Sequence, residues 1–576
     1  MHSGLCVTTV VENMRCALAA VRELCVLVGI GDNACASRHI LGQSFVEASM
    51  ATRSAVTQLV RKVVSELSRG RPGDSSQLAL ESIGRTPELA TELLSVMIDE
   101  GAKKRPNDGV LSACSYLLGH ALEQVRYAVD RESPDGEALA ELLRSRLLAA
   151  GAGGRISPPV MLLVLHLFAS AKLEMGDDLR ALLQSMMEGD SEARDQIEAG
   201  DWDRHLAEMV VEFNGDAFAL YAFLDETITA MPEEMRPGFV TAMYAADDAA
   251  VREAAVGFLC CAWPAVRVGL AGMIEQSASE GAVSPTMLRR MIAVRNWLPA
   301  NERPALDRAI KACRQHGVAC ASWPKAAAGR VLATGIDGSG AHSVNFILPD
   351  GRKYAFAAML GKIGSGVRDA WVCRDMSKKD LKEVEERFAT DAFLRPTSLA
   401  YAGIAVRAMI AMNVALETMP PFGLLVVAET VGLDDLNPVA LPAARMVEDL
   451  LRDVPPERLA AGGVEAVLAA SASWFDRHPM LETWFEDSEA VRRLLAKRGT
   501  KTKHQAALLA GPTLERRSAW ADMLAWTALA AKHAASGTDW QDFAIVAREL
   551  LGQRPLTEIP FALAIAGATV EIHCGT

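Results

Sequence analysis

The longest uncharged stretches of this sequence fall short of the ~20 residues a membrane span needs. The apolar amino terminus is interrupted by Glu12, Arg15, Arg22 and Glu23, which also removes the uncharged core of a signal peptide. There is no Cys-x2-Cys pair and no two histidines three to five residues apart, so no single turn or knuckle aims two ligands at a zinc ion. The 11 cysteines are sparse, odd in number and unclustered, which excludes a disulfide-stapled secreted domain. Gly-x-Ser-x-Gly and His-Glu-x-x-His are both absent, removing the hydrolase elbow and the helical zinc pair. Basic residues are short: 59 Lys and Arg against 72 Asp and Glu give a net charge of −13. A chain that wraps duplex nucleic acid needs the reverse balance, because phosphate binding is driven by cations releasing counterions.

What remains is the composition of an ordinary globular chain, half apolar and 23% charged over 576 residues. At ~150 residues per domain that length allows three or four domains or one long array. Val7, Val11, Met14, Leu18, Val21, Cys25 and Val28 recur at steps of three and four, the stripe of an amphipathic helix. Most of the chain reads as similar helices, broken at Gly70–Gly73, Arg105–Gly109, Ser133–Gly136 and Gly151–Gly154. Ser157-Pro158 and Ser284-Pro285 each read as a helix start, the hydroxyl capping free amides and the proline occupying the first turn. The segments around them, Gly154–Pro158 and Gly281–Pro285, echo one another as two helical hairpins of similar length would.

Between these starts, Asp248-Ala249-Ala250-Val251-Arg252 is followed by Leu259 and by Pro264-Ala265-Val266-Arg267-Val268-Gly269-Leu270. This segment, 248–270, resembles the HEAT repeat, in which an Asp at the inter-helix turn precedes a Val-Arg step. The resemblance implies stacked helices and brings no specific activity with it.

One stretch breaks the helical pattern. Val331–Ile336, Ala341–Leu348 and Tyr354–Leu360 are separated by Asp337-Gly338 and Asp350-Gly351 turns, a strong hairpin signal, and Asp369–Cys373 supplies a fourth strand. Alternation places Val344, Phe346, Leu348, Tyr354, Phe356 and Leu360 on one face, to be laid on a helix beginning near Ser377. The expected fold is mostly α, with stacked helical hairpins of α-solenoid type interrupted by a small antiparallel β-meander. The corresponding regions are 1–150 (helical), 151–325 (HEAT-like hairpins), 326–395 (the α+β meander insert) and 396–576 (helical).

Two segments carry candidate binding residues. In Gly361-Lys362-Ile363-Gly364-Ser365-Gly366, followed by Arg368, glycines free the backbone amides to face an anion while Lys362 and Arg368 add charge. The loop lacks the spacing and hydroxyl of a Walker motif, and a flexible connection between strands is the favoured account of Gly364 and Gly366. The second segment runs through Arg492, Arg493, Lys497, Arg498, Lys501 and Lys503, near Trp474, Phe475, His478, Trp484 and Phe485. Cations beside aromatics suit a single-stranded nucleic acid, and a helix end over core aromatics accounts for them as well. His342 and Cys373 form a candidate base and nucleophile only if the meander brings them together.

These readings favour a cytoplasmic helical-repeat protein acting as a scaffold or adaptor for another protein. No catalysis, metal or cofactor is called for, nor any membrane association. The alternatives are an enzyme with its site near the 331–373 meander and the Gly361–Gly366 loop, and a nucleic-acid-binding regulator using 492–503.

Overall fold

A computed structural model describes residues 45–67, 73–103, 105–130, 133–189, 202–325, 329–391, 394–534 and 539–574. The stripe from Val7 to Val28, with Cys6, Cys16, Cys25 and Cys35, lies outside these residues. The described chain forms two units, one ending at Phe258 and the other beginning at Leu259.

The first unit is helical among its described residues: α1 (Phe45–Leu67), α2 (Asp74–Arg85), α3 (Leu89–Gly101), α4 (Asp108–Asp130), α5 (Pro134–Ala152), α6 (Pro158–Ser170), α7 (Asp177–Gly189), α8 (Trp202–Glu212), α9 (Ala217–Ala230), α10 (Arg236–Ala245) and α11 (Ala249–Gly257). Helix α4 is its axis, packing against α1, α2, α3, α5 and α6. Leu117, Leu118, Ala121, Leu122 and Val125 on α4 are fully buried, at the three- and four-residue steps of one wide apolar face. Each such leucine contributes roughly 1.5–3 kcal/mol of burial free energy. Helix α6 is apolar almost all round because α4 covers one side and α9 another. The Asp248 carboxylate of the 248–270 segment caps α11, accepting from the amides of Ala250 (2.7 Å) and Val251 (3.2 Å). Arg252 closes the preceding turn by donating to the Ala246 carbonyl at 2.7 Å.

The second unit opens with α12 (Pro264–Ser277), α13 (Pro285–Val294) and α14 (Arg303–Gln315). Ser284 caps α13 as its sequence requires, accepting from the Met287 amide at 3.1 Å, whereas Ser157 at the start of α6 makes no side-chain cap bond. Strands β1 (Arg330–Ala333), β2 (Ala341–Asp350), β3 (Lys353–Lys362) and β4 (Gly366–Met376) follow, then α15 (Lys378–Asp391) and β5 (Arg395–Thr397). They form one antiparallel sheet in the order β4-β3-β2-β1-β5. The meander is as expected, and β5 adds a fifth strand whose Pro396 sits on the edge, where a missing amide breaks no ladder.

The rest is helical: α16 (Leu399–Ala415), α17 (Gly423–Val431), α18 (Ala443–Leu451), α19 (Pro456–Leu459), α20 (Ala461–Ser471), α21 (Trp474–Arg477), α22 (Glu489–Leu495), α23 (Lys501–Ala510), α24 (Pro512–Glu515), α25 (Arg517–Lys532), α26 (Trp540–Leu551) and α27 (Pro560–Cys574).

The register corrects the expected apolar face. Gly351, at φ +58°, and Arg352 make a two-residue turn, so Asp350 pairs with Lys353 and even-numbered residues of β2 oppose odd-numbered residues of β3. Val344 and Phe346 therefore share their face with Met359 and Ala357, while Tyr354, Phe356 and Leu360 lie opposite Pro349, Ile347 and Ser343 on the other face. Both faces are buried, so alternation of apolar residues could not say which one was covered. Helix α16 covers the Val344 face, where a Cβ on Gly361 would come within 3.1 Å of the Met409 sulfur. Helix α15 packs on β3 with Leu381 and Val384 buried. The Trp484 indole donates to the Ile336 carbonyl at 2.8 Å, fixing the β1–β2 connection to the chain that follows the sheet.

Candidate functional site

Helix α16 has one charged residue, Arg407, in an otherwise apolar sequence. Ser398 caps it, accepting from the Tyr401 amide at 3.1 Å, and this sets the phase that carries Arg407 to the surface. There its guanidinium bonds the Asp435 carboxylate at 2.6 Å. Asp435 lies in the segment after α17, which Gly432 ends in a left-handed conformation, φ +82°. That segment is held on both sides. Trp297 Nε1 donates to the Leu436 carbonyl at 3.0 Å, and the Val439 amide donates to the Arg407 carbonyl at 3.2 Å.

Helix α25 supplies the facing wall. Lys532 and His533 fall at its carboxyl end, where a cation complements the helix dipole. Lys532 pairs with Asp453 and stands 5.0 Å over the Trp540 ring. His533 Nδ1 lies 3.2 Å from Ser398 Oγ. Burial, reinforced by the Lys532 charge, holds this imidazole below its ordinary range, so it is neutral at pH 7.

Together α16, the segment before α18, α18 itself and α25 enclose a groove of about 280 Å3, floored by Ile404, Val439, Leu441, Met446, Leu450 and Leu529. The floor is apolar and Val439 is exposed on it. The rim pairs, Arg407–Asp435 and Lys532–Asp453, are partly exposed, so each contributes only ~0–1 kcal/mol to stability and can exchange partners at little loss. Such a surface accepts an apolar side chain and offers charge to its flanks.

The sequence-derived candidates fall elsewhere. Lys362 and Gly366 pair at the end of the β3–β4 hairpin, and Gly364 and Gly366 take φ of +79° and +84° to make its turn. Two of the loop's amides are already used: Ile363 N–H donates to the Gly340 carbonyl and Ser365 N–H to that of Lys362, both at 2.9 Å. Gly366 is further required because a Cβ there would meet the Asn413 side chain at 2.3 Å. Arg368 is exposed on β4.

In the basic stretch, Arg492 bonds Asp487 at 2.6 Å, Arg493 pairs with Glu489, and Lys501 pairs with Glu571. Lys497, Arg498 and Lys503 are exposed. The neighbouring Trp474 and Trp484 are core residues, at 1% and 0% exposure, and so are turned away from any nucleic acid. The proposed His342–Cys373 pair is not assembled, because Cys373 pairs across from Phe356 on the opposite face of the sheet from His342. His342 is instead wholly buried 5.9 Å from the Trp526 ring, and burial lowers its pKa to about 4.

Sequence reasoning missed Arg407, Lys532 and His533. The one available signal was a lone arginine inside an apolar helix, matched by a Lys-His pair ending another. The strongest buried charges of this unit are structural. Arg267 makes a bidentate pair with Glu302 at 2.6 and 2.7 Å, and Arg289 and Arg290 share Glu429 at 2.7 and 2.8 Å.

Fold and site thus define a mostly helical protein with an inserted antiparallel sheet and an apolar surface groove. Comparison with known proteins agrees with the helical class. Residues 444–574 match the model of the Y4lR C-terminal helical domain, and residues 232–317 match that of the Y4lR second domain. The chain is 27% identical over 474 residues to the uncharacterized protein y4lR of Sinorhizobium fredii, covering 80% of this chain and 88% of that one. No solved structure matches. Residues Met446, Asp449, Leu450, Leu529, Lys532 and His533 of the groove fall within the matched C-terminal helical domain, and Ile404, Arg407, Val439 and Leu441 precede it.

Proposed function

We propose that this chain is a helical interaction scaffold, of the HEAT-like stacked type, working in the cytoplasm on another protein. The α16–α18–α25 groove is its anchor point. One observation carries the reading: the groove is small, about 280 Å3, at the lower edge of the ~300–1,000 Å3 usual for a small-molecule site, and its walls are three helices with an apolar floor. That volume suits one or two side chains of a partner helix, and the helix-in-groove mode uses such anchors. The rim supplies both signs of charge: Arg407 pairs with Asp435, Lys532 with Asp453, and Asp449 with Arg452. The cytoplasmic placement rests on chemistry of the same kind. Cys114 and Cys313 are buried thiols that behave as small apolar groups, the Cys114 thiol being pushed up to about 12 by burial.

The test is a side-by-side affinity purification of the full chain and its Val439→Glu variant from the native cell. Val439 is exposed, so the substitution, which places a carboxylate on the apolar floor, is expected to leave the melting temperature unchanged. The expected result is a co-purifying protein depleted at least about tenfold by Val439→Glu, equivalent to ~1.4 kcal/mol of affinity. An unchanged set of co-purifying proteins overturns the reading.

A further inference from the structure

A second concavity lies in the same unit, in the crevice between α15 and the sheet. Its volume of about 540 Å3 falls well inside the ~300–1,000 Å3 range of small-molecule sites and is about twice that of the groove. One wall is apolar and partly flat, built from Ile347 and Pro349 on β2, Tyr354 on β3 and Leu381 on α15. Tyr354 and Pro349 stand directly opposite each other in the ladder, which sets ring beside ring. The close approach of the chain at Gly329 shapes the floor: a Cβ there would meet the Ile347 carbonyl oxygen at 2.5 Å, so only glycine lets β1 enter so near β2.

The other wall is cationic. Arg330, Lys378 and Lys382 line it against a single carboxylate, Glu385, which Arg330 already occupies. Lys382 reaches Glu386 at 3.2 Å across an exposed helical pair, a contact worth only ~0.3–0.5 kcal/mol. Among the described residues no carboxylate pairs with Lys378. Lys378 and Lys382 are four residues apart, hence one above the other on α15, and Lys378 is the first residue of that helix. The helix dipole thus adds positive potential where the first lysine stands. The adjacent Asp380, whose carboxylate accepts from the Ser377 amide at 3.0 Å, keeps its negative charge but does not line the crevice.

An apolar slot with excess cations at its mouth is complementary to an amphipathic anion. Lysines act on phosphate as mobile point charges, and an apolar wall beside them selects for an organic ester over the free ion. We propose that this crevice is a binding site for a small aryl phosphate, its ring against Tyr354, Pro349 and Leu381 and its phosphate between Lys378 and Lys382. The site is separate from the groove and does not depend on the scaffold reading.

Phenyl phosphate is the probe, titrated into the full chain by calorimetry, with inorganic phosphate and benzyl alcohol as the two half-ligands. For a fragment of this size a dissociation constant of about 1 mM or tighter is expected, and at least tenfold weaker binding by each half-ligand. The double variant Lys378→Glu/Lys382→Glu, both positions being exposed, should weaken phenyl phosphate at least about tenfold without lowering the melting temperature. Binding of inorganic phosphate as tight as that of phenyl phosphate, binding unaltered in the double variant, or no heat at about 10 mM probe each overturns the proposal.

Discussion

Two buried ionic regions of this chain solve the same problem in opposite ways. In the second unit, α12 and α14 are clasped by Arg267 and Glu302, exposed by only 4% and 6%, and the guanidinium also donates to the Cys261 carbonyl at 2.6 Å. Both charges of this clasp are paired. In the first unit, the junction of α4, α6 and α9 gathers acids with little cation to match. Glu226 on α9 meets His166 Nε2 and Ser170 Oγ on α6 at 3.0 and 3.1 Å. Glu123 on α4 is pushed up to about 7 by burial against the pull of Arg126, with the Glu226 charge adding to the rise. Asp225 is raised to about 6, again by burial first and Glu226 second, despite the hydroxyl of Tyr221 at 3.3 Å. Paired burial makes a region indifferent to pH near neutrality. Unpaired burial makes its stability depend on protons.

The largest effect comes from breaking the clasp. Glu302→Ala leaves the Arg267 guanidinium buried without its counter-ion and should destabilise the second unit by about 3–5 kcal/mol. Every tryptophan except Trp202 lies in that unit, so chemical denaturation followed by tryptophan fluorescence reads it directly. A loss under ~1 kcal/mol would mean that the pair is dispensable and the contrast empty.

The next test sets two titrations of opposite sign against each other. His342 titrates near pH 4 in the folded state, below its unfolded value of 6.5, so the stability it contributes is full above pH 6.5 and is lost as pH falls toward 4. A shift of that size corresponds to about 3 kcal/mol, which His342→Phe should abolish from the fluorescence-detected pH profile. Glu123 is raised above its unfolded value of 4.5, so its contribution is full below pH 4.5 and is lost as pH rises through about 7. With its carboxylate partly exposed, roughly 1–3 kcal/mol is at stake. Hydrogen exchange of the α4 amides should show Glu123→Gln more protected than wild type at pH 8 and equal at pH 4. Equal protection at both would remove Glu123 from the account.

The smallest effect is the surface control. Arg493→Ala deletes an exposed i,i+4 pair with Glu489 and should change stability by no more than ~0.5 kcal/mol.

Local chemistry made much of the fold legible. The Asp350-Gly351 turn, the Asp248 cap and the Ser284-Pro285 start act within four residues, and each appears where its sequence put it. The facing of β3 was not legible, because a two-residue turn inverts parity and both faces of the sheet carry apolar side chains. Nor was β5, three residues long with a proline, whose pairing depends on β1 lying open beside it. Of the candidate residues, Lys362, Gly364 and Gly366 proved to shape a hairpin turn, since glycines that accommodate a positive φ and glycines that cradle an anion look alike in one dimension.

The sequence by itself determined a predominantly helical chain, the position of its meander, the turns that open and close its elements, and the absence of paired metal-ligand spacings. Those properties arise from neighbours along the chain, whose energetics are set by a few adjacent residues. Tertiary structure alone decided that Ile404, Val439, Met446 and Leu529 converge on one groove, that Lys378, Tyr354 and Ile347 line one crevice, and that Glu302 finds Arg267. These meetings join residues far apart in sequence, and only the close packing of whole helices selects among the many partners each side chain could have had.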